Sequence, residues 1–104
     1  MWCVDVSKMC RQHLLGEHVE CHMFVGTINK GIDVRGYLAR GLLQPSLLQE
    51  RHDQLAKEIE RRGYSHKSPL PSFEWIIGAG DGDGSVDTAA NEIELHNRCK
   101  NCGF

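Results

Sequence analysis

Apolar positions recur along this chain with helical rather than alternating spacing, and glycine and proline divide them into three helical stretches. The first follows Asp5 and Ser7, either of which can cap it, and is expected to run to about Val25. Gly26 and then Gly31 would end it, with Lys30 near its negative end. Leu14, Leu15, Val19, Met23 and Val25 are the residues expected to pack, while His13, Glu17, Glu20 and Phe24 share one narrow face at about 100° per residue. Residues 36–44 read as a short helical turn or extended connection broken by Gly41. Gln44-Pro45-Ser46 opens a second helix with Leu47, Leu48, Leu55, Ile59 and the stem of Arg62 on one side, and Arg61-Arg62-Gly63 ends it. The two prolines of SHKSPLPS predict an irregular crossing, FEWII lacks a partner strand and reads as packed loop, and GAGDGDGS reads as a hydrophilic loop. Asp87 can cap a third helix to about Lys100 that carries Ile93 and Leu95. The pattern predicts an all-α fold: a compact three-helix single domain over residues 1–104 with long irregular connections.

Length and charge narrow the picture. A chain of 104 residues supports one core with little to spare. The net charge of −2 hides an asymmetry, +2 over residues 1–68 against −4 over residues 69–104, with five of the six histidines in the first part. Such a balance permits DNA binding without suggesting it, since phosphate contacts would have to come from Lys8, Arg11, Lys30, Arg35, Arg40, Arg51 and Arg61. No stretch resembles a membrane span, and the start lacks the basic end and apolar run of a signal peptide. Five cysteines in such a chain are expected to be reduced thiols in the cytoplasm rather than a disulfide framework.

The ionisable residues of the first helix are its candidate chemistry. His13 and Glu20 lie seven positions apart, almost in line, separated by roughly 10 Å of helix rise. His18 and His22, an i,i+4 pair near the apolar side, are expected to be hydrogen-bonded boundary residues. Asp81, Asp83, Ser85, Asp87 and Glu92 match part of a calcium-loop pattern, but Val86 occupies the position that needs glycine, so no calcium is expected. At the C-terminus, His96-x-x-Cys99-x-x-Cys102 contains half of a zinc site. His18 and His22 could complete it, with Cys3 and Cys10 as rivals; without a clear second half-site, two small thiols near a chain end are the favoured reading and no metal is expected.

At QHLLGEHVE, and again from Arg51-His52-Asp53 through EIERRGY, the sequence resembles the pyrimidine-dimer DNA glycosylases, small phage and viral repair enzymes also called endonuclease V. The first block is similar to the family's catalytic helix and the second to its middle helix; together they cover about half the chain. The resemblance implies a three-helix bundle, no cofactor or metal, and a monomeric enzyme acting on double-stranded DNA that contains a base lesion. It would act away from membranes, in the cytoplasm of a cell or of a phage or virus host. It further implies that the α-amino group of the first residue, here Met1, attacks C1′ of the damaged nucleotide. The base is expelled, and the resulting Schiff base permits strand cleavage, which is glycosylase with abasic-site lyase activity. Glu20 matches the acid/base glutamate, Gln12 and His13 match residues that line the site and hold DNA, and the family's two phosphate-binding arginines of this helix fall at Val19 and Met23. The site residues implied are Met1, Glu20 and His13 for catalysis and Gln12, Arg11, Lys8, His22, Arg51 and Arg61 for DNA. The choice of nucleophile has its own logic: a peptide α-amine has a pKa of about 7.7–8.0 against about 10.4 for lysine, so more of it is neutral at pH 7. An arm of six or so residues ahead of the helix can span roughly 20 Å, enough to fold back to Glu20. The alternative is a non-catalytic DNA- or protein-binding relative, stabilised by zinc through Cys99 and Cys102.

Overall fold

The arm ahead of the first long helix is not helical from Asp5 onward. Asp5 caps only a single 3₁₀ turn, Val6–Lys8, by accepting the Ser7 N–H. The long helix starts afresh after Cys10, whose sulfur accepts the His13 N–H in place of a capping oxygen. In this computed structural model, residues 1–65, 68–75 and 83–104 are described. Among them there are four α-helices and no strand: α1 (Arg11–Asn29), α2 (Arg35–Ala39), α3 (Leu48–Arg61) and α4 (Thr88–Arg98). The all-α expectation is met, with the Gly41-broken stretch supplying the short α2 as a fourth helix.

Helix α1 runs through Gly26 and ends four residues later than expected. Its stop is Gly31, at φ +72°, where the Gly31 N–H reaches the Ile28 carbonyl and the Ile32 N–H reaches that of Thr27. A left-handed residue makes this reversal, and glycine adopts it without steric cost; Gly26 stays in the helix at a cost of about 1 kcal/mol relative to alanine. Gly41, at φ +68°, ends α2 in the same way and turns the chain so that the Leu42 carbonyl points back toward α1.

Packing of α1 on α3 makes the core. Leu14, Cys21, Phe24 and Val25 of α1 meet Leu48, Leu55 and Ile59 of α3, with Met1, Val4, Met9, Val34, Leu38, Leu43, Leu95 and Cys102 closing around them. The buried stripe of α1 differs from the expected one: Val19 and Met23 are 64% and 45% exposed, whereas Glu17 is buried at 2%. On α3, Arg51, His52 and Glu58 are likewise buried among the leucines. Helix α4 is capped by Asp87, buries Leu95 and leaves Ile93 outside. The prolines at 69 and 71 and residues 73–75 lie in irregular backbone, as expected; Ile76, Ile77 and most of the Gly/Asp loop, Asp81 included, fall outside the described residues. No buried side-chain nitrogen or oxygen lacks a hydrogen-bond partner among the described residues.

Candidate functional site

Residues 1–4 fold back along α1 because their backbone is tied down at every step. Asn91 of α4 donates to the Trp2 carbonyl at 2.9 Å, Thr88 to that of Cys3 at 3.2 Å, and Arg51 to that of Val4 at 2.7 Å. Cys3 sits at φ +53°, a left-handed conformation unusual for a non-glycine residue, and marks where the arm reverses. The Met1 side chain is buried in the core, which anchors its backbone nitrogen at the rim. That amine donates to a carboxylate oxygen of Glu20 and, at 2.8 Å, to the Leu42 carbonyl presented by the Gly41 turn. Glu20 keeps 38% of its side chain exposed, so the pair opens to solvent on one side.

Glu17, one turn earlier on α1, is held in a different setting. Arg51 grips it through two parallel bonds, Nε to one oxygen at 2.7 Å and Nη2 to the other at 2.8 Å, in the fork geometry that suits a carboxylate. Burial is the largest single influence and works against the Arg51 charge, but the Glu17 hydrogen bonds and the Glu17 charge together outweigh it and hold the guanidinium protonated more firmly than usual. Cys21 lies beside this pair, and burial pushes its thiol up to about 12, with the negative charge of Glu17 adding to the effect; it is an inert core thiol.

The sequence-derived DNA contacts scatter. Arg51 is corrected outright: at 4% exposure, with its guanidinium committed to Glu17, Val4 and Gln54, it is a core residue and no phosphate ligand. The signal was present, since Arg51 keeps the helical spacing of Leu48, Leu55 and Ile59 and falls on their stripe. His22 packs against His18 and His52, with ring centroids 4.9 and 5.1 Å away, and its Nε2 meets the Ser68 carbonyl at 3.1 Å. It helps hold the proline-rich crossing against α1. Arg61 is exposed and forks onto Glu58 with Nη2 2.6 Å from an oxygen. Lys8 is exposed, and Arg11 lies over the Tyr64 ring at 5.0 Å. Arg11 and Gln12 border an open groove of about 630 Å³ with Cys10, Leu15 and Asn101.

His13 lies at the same end of α1. Its Nδ1 faces the sulfurs of Cys10 and Cys102, and its ring meets the edge of Trp2 at 5.9 Å between centroids. Cys10, His13, Cys99 and Cys102 thus form one cluster whose donor atoms all lie within 4.8 Å of one another. His96, expected as the third member of the C-terminal motif, points elsewhere and bonds to the Phe104 carbonyl. The repeated x₂ spacing of Cys10-x-x-His13 and Cys99-x-x-Cys102 was the overlooked signal. His18, His22 and His52 form a second group able to offer ligand atoms to a metal. Two of the calcium-like carboxylates have structural partners: Asp83 accepts from Gln44 and Ser46, and Asp87 caps α4.

Fold and site together define an all-α protein whose first amino group rests against a half-exposed helix carboxylate. A family model described as pyrimidine dimer DNA glycosylase matches residues 1–72, and the chain belongs to that family. Membership places it among DNA glycosylases, enzymes of DNA repair, with DNA as substrate. The match spans the arm, α1, α2 and α3 and stops before α4. No curated protein and no solved structure gave a significant match. Among the described residues no helix is long and apolar enough to cross a membrane.

Proposed function

We propose that this single domain, working as a monomer without metal chemistry, excises an ultraviolet pyrimidine dimer or related damaged base from duplex DNA and then cleaves the abasic strand. The observation that supports this reading is the Met1 amine held between the Glu20 carboxylate and the Leu42 carbonyl. As an ammonium, the terminal group is not nucleophilic; Glu20 accepts its proton as the neutral amine attacks C1′. The C1′–N bond to the base breaks with its electron pair going to the base, which takes up the proton that the newly bonded Met1 nitrogen sheds. Opening of the sugar ring at O4′ gives the imine between Met1 and C1′, and the protonated Glu20 supplies the proton to O4′. Removal of a C2′ proton, again by Glu20, then expels the 3′-phosphate. The Leu42 carbonyl helps hold the amine in place, because a backbone carbonyl is a neutral acceptor that does not titrate. Reaching C1′ requires the lesion nucleotide to be displaced from the stack, which costs least where damage already weakens pairing. Lys8, Arg11 and Arg61 supply exposed positive charge for phosphates, and Gln12 lies in the groove beside them. His13 serves as a positioning residue through its contact with Trp2.

Borohydride trapping on a duplex with one abasic site tests the reading. The expected result is a covalent adduct that maps to Met1 and disappears when two residues are added ahead of it. An adduct on a lysine, or none, overturns the mechanism. The second reading, a relative that binds DNA or protein without cleaving it, is favoured by one observation: Val19 and Met23 put apolar surface where the resemblance calls for arginines. Binding of irradiated duplex with no trap and no incision is the outcome that selects it.

A further inference from the structure

We propose that Cys10, His13, Cys99 and Cys102 form a structural zinc site that clamps the C-terminal tail onto the start of α1. This goes beyond the glycosylase reading and does not depend on it.

The geometry carries the proposal. A tetrahedral zinc with bonds of about 2.3 Å to sulfur and about 2.0–2.1 Å to nitrogen sets edges of about 3.8 Å between sulfurs and about 3.6 Å between sulfur and nitrogen. Here Cys10 Sγ lies 3.9 Å from Cys99 Sγ, and Cys102 Sγ lies 3.6 Å from His13 Nδ1. Cys10 Sγ and His13 Nδ1 are closer, at 3.1 Å, and all four donors fall within 4.8 Å of one another. No pair has the roughly 2.05 Å separation of a disulfide, and all five cysteines are free thiols. Three sulfurs and one imidazole nitrogen converging on one point is a donor set suited to zinc, and four protein ligands leave no open position for substrate.

The surroundings suit bound thiolates. Cys10 is the N-cap of a 19-residue helix, so its sulfur lies at the positive end of the α1 dipole. The Cys10 N–H donates to Cys102 Sγ at 3.2 Å, the His13 N–H to Cys10 Sγ at 3.5 Å, and the N–H groups of Asn101 and Cys102 to Cys99. Backbone donors to each sulfur are the outer contacts that orient metal ligands. Ligation through His13 Nδ1 leaves the ring proton on Nε2, and the three thiols release their protons to solvent as the metal binds.

Position gives the site its role. One half, Cys10 and His13, lies within the family-matched residues, and the other half follows α4, outside them. Backbone contact at the same place, Gly103 N–H to the Lys8 carbonyl at 2.6 Å, already aligns the two strands of chain. The clamp therefore holds α4, whose Asn91 fixes the Trp2 carbonyl and whose Arg98 lies 5.0 Å over the Trp2 ring. Through His13 and α4 together the metal braces the arm that ends at Met1.

The test is metal content of the full chain, purified under reducing conditions in zinc-replete medium and measured by mass spectrometry of the elements. One zinc per chain is expected, falling to background in Cys99→Ser and in Cys102→Ser but unchanged in His96→Ala. Cobalt added to metal-free protein is expected to give the intense visible bands of tetrahedral thiolate coordination, a readout that needs no variant to fold. Chelation should lower the melting temperature of the unaltered protein and leave that of Cys99→Ser where it was. Absence of zinc with no cobalt spectrum, full zinc content in both cysteine variants, iron in place of zinc, or a metal-free protein lighter by two hydrogen atoms from a disulfide would each overturn the proposal.

Discussion

Glu17 and Glu20 sit one turn apart on α1, each paired to a cation, yet they occupy opposite regimes. Glu17 is buried, and its partner Arg51 is a guanidinium that stays protonated at any ordinary pH. Glu20 is more than a third exposed, and its partner is an α-amine, a group that gives up its proton near neutrality in ordinary peptides. A pair that cannot exchange its proton and cannot be reached by solvent can only hold structure. The pair that solvent reaches is the one to which the proposed reaction is assigned. Burial and the kind of cation, not the glutamate itself, separate the two roles.

The largest expected effect is on catalysis. Glu20→Gln should lower single-turnover cleavage of an abasic duplex by about 10²–10⁴-fold, the usual contribution of a positioned acid/base group. Its melting temperature should stay close to that of the unaltered protein. Were cleavage to survive, Glu20 would join Glu17 as a structural residue and the comparison would collapse.

Arg51→Ala is expected to reverse that profile. Leaving Glu17 buried without its partner should cost about 3–5 kcal/mol in urea denaturation, enough to unfold much of a domain this size. The double change Glu17→Leu with Arg51→Met should recover most of that loss, because an apolar pair of similar volume replaces two desolvated charges. If the double variant is as unstable as the single one, the bridge supplies more than charge balance.

A third ion cluster offers an intermediate case. Glu58 accepts from Arg61 and Arg62, and the Arg61 hydrogen bond foremost, with Arg62 adding to it, holds its carboxyl down at about 2 from an ordinary 4.5. A carboxyl with a depressed folded-state value binds protons more weakly than in the unfolded chain. Its stabilisation is therefore present above pH 4.5 and is lost as pH falls toward about 2. Acid titration of unfolding should show that loss, and Glu58→Gln should remove this part of it. The smallest effects distinguish its two partners. Arg61 is 66% exposed on its side chain, and its replacement by alanine should cost about 0.2–1 kcal/mol. Arg62 is mostly buried and also donates to the Val6 and Met9 carbonyls, so Arg62→Ala should cost more than Arg61→Ala in the same urea series.

Much of this was readable before folding. Helical spacing and breakers located α1, α3 and α4, and the resemblance at QHLLGEHVE and EIERRGY led to the family that the match over residues 1–72 shows. What failed did so for identifiable reasons. Val19 and Met23 were assigned to the core by side-chain type, but α3 packs on the neighbouring face, and apolar residues are common on protein surfaces. Arg51 was assigned to the surface by its charge, although its helical position placed it among leucines; a buried arginine is tolerated because Glu17 meets its fork. Gly26 and Gly31 both match the usual helix stop by residue type, yet only Gly31 takes the left-handed turn.

By itself, the amino-acid order determined the helical periods, the glycine and capping chemistry at their ends, the acid and imidazole of α1, and the two short spacings Cys10-x-x-His13 and Cys99-x-x-Cys102. Those are local properties, set by neighbours a few residues apart. The resemblance implied Glu20 as the glutamate beside the Met1 amine, but only tertiary structure sealed Glu17 against Arg51 and brought Cys99 and Cys102 to Cys10 and His13. These pairings join residues 19, 34 and about 90 positions apart, and no local pattern encodes the way α1, α3 and the tail pack to make them.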